Sequence, residues 1–341
     1  MKRLILVLLV LCLLSGCAPA SQTPTQKQYT ATFLSLFDTV TTIVGKAESE
    51  AAFQTLVQPV HDMLEHYHQL FDIYHDYEGM HNLKTLNDKA ASSPIVVDTI
   101  LLDLLEDCKR YYTATNGNFN PAMGSVLRLW HTAREDGIND PANAYLPNAD
   151  ALREAAKHTH PDDIVIDRAQ STVFFRDPQL KLDVGGIAKG WAVERVCKTA
   201  PTGLLLSVGG NVYATGPKDS DGTPWVVGIK NPSGESDYLH TLNITGGSVV
   251  TSGSYHRSYV VNGKLYHHII DPRTLYPSEL WTSVTVVCAD SRLADVLSTA
   301  LFLLNQTDGE ALLAQFHAHA MWVDTNGKQY YSSSFADFIR A

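Results

Sequence analysis

The sequence predicts an α+β fold in which helices pack on a mostly antiparallel sheet. Three observations support this prediction. Apolar residues recur every three to four positions over residues 53–74 and 293–304, as they do in amphipathic helices. Asn262-Gly263 joins two strand-like runs and is a strong hairpin signal. Glycine pairs separate further short strands, and this arrangement favours a single α+β domain of roughly 300 residues.

The composition is typical of a folded globular protein. Of the 341 residues, 45% are hydrophobic and 18% are charged, and 26 basic against 36 acidic side chains give a net charge of −10. These values exclude disordered, collagenous and coiled-coil chains. The acidic balance argues against a protein that binds nucleic acid by neutralising its phosphates, so we expect no nucleic-acid partner.

The N-terminal region has the pattern of an export signal followed by a tether. The apolar run 4–14 is too short for the roughly 20 residues that span a bilayer, so residues 1–16 predict a cleaved signal peptide. Small residues before Cys17 resemble a bacterial lipobox, in which the cysteine carries the lipid. A plain secretory signal with an incidental cysteine is the alternative. We expect a lipid anchor on the extracytoplasmic face of the cell membrane, a flexible tether at 17–28 and a folded domain at 29–341.

The first predicted elements of the domain are one strand and two helices. Residues 31–44 are rich in Phe, Thr, Val and Ile and predict a strand. The helix predicted at 53–74 contains Pro59, which would mark a kink or a late start. A second helix is predicted at 99–113.

Three histidines, His61, His68 and His75, lie on one stripe of the first predicted helix. Seven helical residues rise about 10 Å, which is too far for two imidazoles to share one metal ion. We therefore expect these histidines to be solvated residues on the polar face of the helix.

The first dense motif runs from Thr115 to Gly124 and is rich in Asn, Gly and Pro. This composition favours a sharply bent loop that offers backbone groups to a ligand. A purely structural turn is the alternative.

The second motif predicts a strand, a glycine turn and a helix. The strand-like residues 180–183 lead through Gly185-Gly186 into a helix predicted at 187–195. Such a junction presents free backbone N–H groups and the positive end of the helix dipole, which suit a phosphate. Lys189 in the first turn opposes that dipole, so its position indicates a bound anion. The spacing matches neither a P-loop nor a dinucleotide motif, and a structural glycine turn is the alternative.

The third motif is the predicted hairpin. Its two-residue loop sets a register in which Tyr259 faces Tyr266 and Arg257 faces His268, with all four side chains on one sheet face. A guanidinium beside His268 disfavours the imidazolium form and keeps a neutral imidazole that can accept a proton. A solvated histidine on a sheet surface is the alternative.

The fourth motif lies on the last long predicted helix, which Asp290 or Ser291 caps and which runs to Leu304. Asp295 and Thr299 are four residues apart and therefore point the same way. A carboxylate and a hydroxyl suit Mg²⁺, with waters and phosphates completing its shell. A solvated polar face is the alternative, although the helix is otherwise largely apolar.

In this order, the four motifs resemble the ApbE-type FAD:protein FMN transferase family over nearly the whole mature chain. The matching segments are Gly117-Asn-Phe-Asn-Pro121 with Gly124 and Trp130, Leu182-Asp-Val-Gly-Gly-Ile-Ala-Lys-Gly190, Gly209-Gly-Asn211, Thr251-Ser-Gly253, His268-Ile-Ile-Asp-Pro-Arg-Thr274, and Ala294-Asp295 with Thr299. The resemblance implies two interleaved lobes with FAD in the cleft between them. It also implies an enzyme that uses Mg²⁺ to break the FAD pyrophosphate, joins FMN through a phosphoester to a Thr or Ser of an acceptor protein and releases AMP.

The resemblance further implies roles for particular residues. The implied FAD-binding residues are Phe37, Phe119, Asn120, Pro121, Asp183, Lys189 and Ile270. The implied Mg²⁺ ligands are the backbone carbonyl of Gly186 and the side chains of Asp295 and Thr299. His268 is the implied base that removes the proton of the acceptor hydroxyl.

Three positions depart from the family pattern, and none of them is an implied metal ligand. Asn120 stands where the family usually has Asp, and Phe37 stands where it often has Met. Leu275 replaces the glycine of a usual Thr-Gly-x-Pro turn. We therefore expect a turn without a positive φ at Leu275.

Two other functions fit the same motifs. One is a Mg²⁺-dependent FAD pyrophosphatase that gives FMN and AMP, and the other is a non-catalytic flavin-binding lipoprotein. A structural lipoprotein leaves Lys189, His268 and Asp295 without a common explanation. The implied partners are FAD, the membrane through the lipid anchor, and an extracytoplasmic flavoprotein, such as a subunit of a membrane redox complex, that carries the modified Thr or Ser.

Overall fold

The structure is a computed structural model that describes residues 26–341. The predicted signal peptide, Cys17 and the tether up to residue 25 lie outside the described residues. In chain order the strands and helices are β1 Lys27–Leu36, β2 Thr39–Ala47, α1 Glu50–Phe71, α2 Leu83–Lys89, β3 Ile95–Val96, α3 Thr99–Ala114, α4 Gly124–Asn139, α5 Ala149–Ala155, β4 Ile164–Asp167, β5 Thr172–Phe175, α6 Ala188–Thr199, β6 Leu204–Val208, β7 Asn211–Ala214, β8 Trp225–Lys230, β9 Tyr238–Ile244, β10 Gly247–Gly253, β11 Ser258–Val261, β12 Lys264–His267, β13 Trp281–Cys288, α7 Ser291–Phe302, α8 Gln306–Leu313, β14 Ala318–Asp324 and β15 Gln329–Tyr331.

An eight-stranded sheet in the order β1-β2-β6-β7-β10-β13-β14-β15 forms the centre of the fold. All of its neighbouring strands are antiparallel. The strands β3-β5-β4, β8-β9 and β11-β12 form three smaller sheets. The α+β class with a mostly antiparallel sheet is therefore confirmed. Within the described range 26–341, no helix is long and apolar enough to cross a membrane.

The single strand predicted at 31–44 is wrong, because this segment forms the hairpin β1–β2. The chain turns at Phe37 and Asp38, both of which have φ of 54°. Aspartate tolerates this left-handed region, but the turn has no glycine or proline to mark it in the sequence. Strand β1 begins at Lys27, so the last two residues of the predicted tether belong to the sheet.

Helix α1 begins after Ser49, whose side chain accepts a hydrogen bond from the backbone N–H of Ala52, and it ends at Phe71. The prediction that this helix reaches residue 74 is therefore wrong. The prediction of a solvated stripe is also wrong for His68, which is half-buried and accepts a 3.2 Å hydrogen bond from the backbone N–H of Phe37. His68 thus fixes the β1–β2 turn. The prediction for 99–113 is confirmed by α3.

Helices α6 and α7 pack against each other, and α7 also packs on β10 and β13 of the large sheet. Asp290 caps α7 as predicted by accepting hydrogen bonds from the backbone of the first turn. The helix ends at Phe302, two residues earlier than predicted. Leu297 and Leu301 are fully buried in its core-facing side. This packing fixes α6 and α7 side by side over the central strands of the sheet.

The hairpin β11–β12 has the predicted register, in which Tyr259 is opposite Tyr266. The strands end at Ser258 and His267, so Arg257 and His268 lie one position beyond the paired residues. Arg257 has φ of 38° and leaves the strand conformation. The prediction that Arg257 and His268 form a cross-strand pair is therefore wrong.

Two other local predictions are also wrong. Residues 180–183 form only an isolated bridge, between Lys181 and Met123, rather than a strand. Leu275 has φ of 65°, so the turn keeps a positive φ without a glycine. The backbone N–H of Leu275 donates to Asp271 (2.7 Å) and its carbonyl accepts from the Trp130 indole (2.9 Å). One local and one tertiary hydrogen bond thus hold the turn in a conformation that leucine alone disfavours.

Candidate active site

A cavity of about 740 Å³ lies between the large sheet, the glycine turn before α6, α7 and the β11–β12 hairpin. This volume is in the usual range of small-molecule sites, roughly 300–1,000 Å³. The predicted site residues that line it are Phe37, Phe119, Asn120, Asp183, Gly186, Lys189, His268, Ile270, Asp295 and Thr299. The fold thus brings the four sequence motifs to one place.

Pro121 differs from the prediction, because it is buried behind the cavity wall and does not line the cavity. Its carbonyl accepts a 2.8 Å hydrogen bond from the backbone N–H of Asp183. The neighbouring Asn120 side chain donates to the carbonyl of Thr159 and accepts from the backbone N–H of Ala122. The loop of the first motif is therefore held rigidly against the glycine turn of the second.

Asp295 occupies the junction of α6 and α7 and is only 4% exposed. Its Oδ2 accepts a 2.8 Å hydrogen bond from the backbone N–H of Gly190. Among residues 26–341 the carboxylate has no other hydrogen bond and no ion-pair partner. A buried carboxylate is costly without compensating charge, so this site favours a cation.

The surroundings of Asp295 supply further oxygen atoms. A Cβ atom placed on Gly186 would lie 3.2 Å from the Thr299 Oγ1, which shows how closely the glycine turn approaches α7. A backbone carbonyl, a carboxylate and a hydroxyl form an all-oxygen donor set. The residues present therefore fit Mg²⁺, with Gly186, Asp295 and Thr299 as the groups that would hold it.

The glycine turn does not offer all the free N–H groups that the sequence predicts. The N–H groups of Ile187 and Ala188 both donate to the carbonyl of Val184 at 2.9 Å, and that of Gly190 donates to Asp295. Lys189 has only a long hydrogen bond, 3.4 Å, to the carbonyl of Gly185. Its ammonium group forms no ion pair within the described part of the chain. The positive charge of Lys189, more than the backbone of this turn, is therefore available to an anion.

His268 has the environment of a neutral imidazole. Burial lowers its pKa to about 3, and the positive charges of Arg257 and Lys189 add to this shift. The predicted effect of Arg257 is confirmed in direction, but burial is the larger cause. The Nδ1 atom is shielded from solvent and has no hydrogen-bond partner among the described residues. The neutral ring therefore keeps a nitrogen lone pair that can accept a proton.

The adjacent His267 has a structural role. Its Nε2 donates a 2.7 Å hydrogen bond to the carbonyl of Ser278, and its Nδ1 accepts one from the backbone N–H of Ile269. Both ring nitrogens are occupied in holding the segment after β12. This contrast identifies His268 as the histidine of the pair that is free for chemistry.

Tyr74 is a cavity residue that the sequence analysis missed. It lies beyond α1 because the Asp72 carboxylate accepts hydrogen bonds from the backbone N–H groups of Tyr74 (2.6 Å) and His75 (3.2 Å). The Tyr77 hydroxyl donates to the same carboxylate at 2.9 Å. Burial and the charge of Asp183 raise the pKa of Tyr74 to about 12. The spacing of Tyr74 from Phe71 continues the helical pattern, and no glycine, asparagine or proline directly after Phe71 marks the helix end.

Comparisons with known proteins identify relatives of this chain. A family model described as the ApbE family matches residues 37–322. A Treponema pallidum protein named FAD:protein FMN transferase is 33% identical over 277 residues, which cover 76% of this chain and 75% of that protein. A Klebsiella pneumoniae protein of the same name is 31% identical over 269 residues, covering 77% and 79%. The crystal structure of the ApbE protein from Thermotoga maritima is similar with a TM-score of 0.80 at 29% identity, covering 92% of this chain and all of that one.

Proposed function

Because this chain belongs to the ApbE family, we propose that it is a flavin transferase that moves the FMN moiety of FAD to a Thr or Ser hydroxyl of an acceptor protein. One observation carries the proposal: Lys189, His268 and Asp295, which come from three distant motifs, line the same cavity. A phosphoryl transfer needs positioning, charge neutralisation and a proton acceptor, and these residues supply all three.

The reaction exchanges one phosphoester partner for another. The acceptor hydroxyl oxygen forms a bond to the phosphorus of the FMN half, and the bond from that phosphorus to the bridging oxygen breaks. AMP leaves with the bridging oxygen, and the hydroxyl proton passes to His268. The neutral form of His268 makes this transfer possible at physiological pH, because an imidazolium has no free nitrogen lone pair.

Charge neutralisation is the second requirement. Lys189 has no carboxylate partner among the described residues, and its ammonium group would bind the pyrophosphate. The Gly186 carbonyl, Asp295 and Thr299 would hold Mg²⁺. When bound, this ion would stabilise negative charge on the phosphate oxygens.

Substrate positioning falls to the cavity wall. Phe119 is 3% exposed and its ring would lie 3.4 Å from a Cβ on Gly186, so it packs directly against the glycine turn. Phe37, Ile270 and Tyr74 complete an apolar lining that suits the rings of FAD. Asp183 accepts a hydrogen bond from the backbone N–H of Gly185 and adds a polar group at the same turn.

The proposal is tested by intact-mass spectrometry of an extracytoplasmic flavoprotein acceptor after incubation with the protein, FAD and Mg²⁺. We expect a mass gain of one FMN that EDTA prevents and that disappears when the acceptor Thr or Ser is replaced. Release of free FMN and AMP without acceptor modification would instead favour the FAD pyrophosphatase. Recovery of unchanged FAD would favour a flavin-binding protein.

We also propose that the protein is anchored by lipid at Cys17 on the extracytoplasmic face of the cell membrane. The small residues before Cys17 support this proposal. Replacement by Cys17→Ser should move the protein from the membrane fraction to the soluble fraction. A wild-type protein that already fractionates as soluble would contradict the anchor.

A further inference from the structure

The open side of the cavity carries three residues that take no direct part in the transfer described above. Lys230 ends strand β8, and His256 and Arg257 follow strand β10. All three line the cavity and are exposed. We call Lys230, His256 and Arg257 the cationic rim.

Aromatic packing holds the rim together. The Lys230 ammonium lies 5.7 Å from the centroid of the Tyr255 ring, and the Tyr255 and His256 rings are 4.4 Å apart. A cation over an aromatic face is weakly attracted to it, which restrains the lysine without neutralising it. Partial desolvation at the cavity edge lowers the pKa of His256, and the charges of Lys230 and Arg257 lower it further. The positive charge of the rim therefore comes from Lys230 and Arg257.

The rim has little compensating negative charge. Lys230 forms no ion pair within the described chain. Arg257 is 3.8 Å from Asp38, but both side chains are more than half exposed, and such pairs contribute little. This positive edge stands out on a chain whose net charge is −10. A local field of this kind attracts a partner of opposite sign.

We propose that the cationic rim docks the acceptor protein through a negatively charged surface around the hydroxyl to be modified. This inference rests on the proposed flavin transfer. The buried lining residues, such as Phe119 and Ile270, are within reach of a small ligand only, whereas the exposed rim is within reach of a protein. Among the cations that act on His268, Arg257 has the largest effect. A hydroxyl on a surface docked there enters the cavity beside the candidate base.

The test is a charge reversal, Lys230→Glu, assayed with a purified, flavin-free extracytoplasmic flavoprotein subunit as acceptor. We expect kcat/KM for the acceptor to fall about tenfold at low ionic strength and to approach the wild-type value at high salt, because rim charges act mainly on association. The Kd for FAD and the rate of FAD turnover without acceptor should stay within about twofold of wild type.

The chain offers a matched control in Lys328→Glu. Lys328 is also exposed and lies 4.7 Å from the Tyr330 ring centroid, but it is in the turn between β14 and β15 and does not line the cavity. The Lys328→Glu variant makes the same change in net charge as Lys230→Glu and should leave kcat/KM for the acceptor unchanged. An equal loss in both variants would overturn the rim proposal, since overall charge would then explain it.

Two further results would also overturn it. If Lys230→Glu weakened FAD binding in proportion to its loss of activity, the rim would bind FAD rather than the acceptor protein. An unchanged kcat/KM at low salt would remove the rim from acceptor binding, while FMN transfer by the wild-type protein would leave the proposed function standing. No transfer by the wild-type protein would overturn the proposed function, and the rim proposal with it.

Discussion

The backbone N–H of Gly190 in α6 donates a 2.8 Å hydrogen bond to the carboxylate of Asp295 in α7. This contact joins the helix that carries Lys189 to the helix that carries the candidate metal ligands. It depends on a very close approach, since a Cβ on Gly190 would collide with the backbone carbonyl of Ser291 and lie 2.6 Å from the Cβ of Asp295. The position of Asp295 is therefore set by the absence of a side chain at residue 190.

Gly190→Ala should destabilise the protein. A glycine to alanine change inside a helix normally stabilises it by up to about 1 kcal/mol, but here the added methyl group collides with α7. We expect a net loss of about 1–3 kcal/mol in the free energy of unfolding, measured by urea denaturation. Gly309→Ala in α8 is the control, because its nearest contact would be the Trp322 side chain at 3.2 Å rather than a backbone. Equal stability of the two variants would contradict the proposed collision.

Asp295→Asn should remove metal-dependent turnover while preserving the fold. Asparagine keeps an oxygen that can accept from Gly190 but loses the charge that favours a cation. We expect at least about a 100-fold loss of activity, given that even the supporting partners of metal ligands contribute 10–100-fold. Mn²⁺ binding measured by electron paramagnetic resonance should weaken in parallel. Asp308→Asn, at an exposed position in the first turn of α8, serves as the control. Normal Mn²⁺ affinity in Asp295→Asn would remove Asp295 from the metal site.

Local patterns predicted the elements that local interactions determine. Asn262-Gly263 fixed the register of β11–β12, and the Asp290 side chain marked the start of α7. Residues from all four motifs also line the cavity. For the hairpin and the start of α7, the deciding contact lies within a few residues in the sequence.

The features that the sequence could not predict depend on distant contacts. The β1–β2 turn uses Phe37 and Asp38 at positive φ, and His68 from α1 stabilises it. Leu275 takes a positive φ because Trp130, 145 residues away, holds its carbonyl. Lys230 lies in the cavity lining beside the Tyr255 ring, although the two residues are distant in the sequence. Propensity and periodicity contain no information about such partners.

The pH dependence of transfer tests the state of His268. A base works in its neutral form, so activity is present above its pKa and is lost as the pH falls through it. Because burial and nearby cations lower that pKa to about 3, kcat/KM should be flat from about pH 5 to about pH 8. An acid limb near pH 6.5 would contradict the buried, neutral state.

The variant His268→Ala should slow transfer by about 10²–10⁴-fold, the usual contribution of a general base. FAD binding, measured by fluorescence quenching, should be unchanged because the imidazole is not proposed to contact the nucleotide. His267→Ala is the comparison, since that ring holds the Ser278 carbonyl and its loss should lower stability instead. An unchanged transfer rate in His268→Ala would exclude it as the base.

Asp72→Ala should release Tyr74 from the cavity wall. The carboxylate is 8% exposed and accepts hydrogen bonds from Tyr74, His75 and Tyr77, so its loss should cost about 1–3 kcal/mol of stability and weaken FAD binding.

Burial alone raises the pKa of Asp72, but these hydrogen bonds lower it overall. The stabilisation is therefore present above the unfolded pKa, about 4, and is lost as the pH falls through the lower folded pKa. Tyr77→Phe removes one of these hydrogen bonds and should leave FAD affinity intact. An equal loss of FAD affinity in Tyr77→Phe would contradict the inference that Asp72 acts on FAD binding by positioning Tyr74.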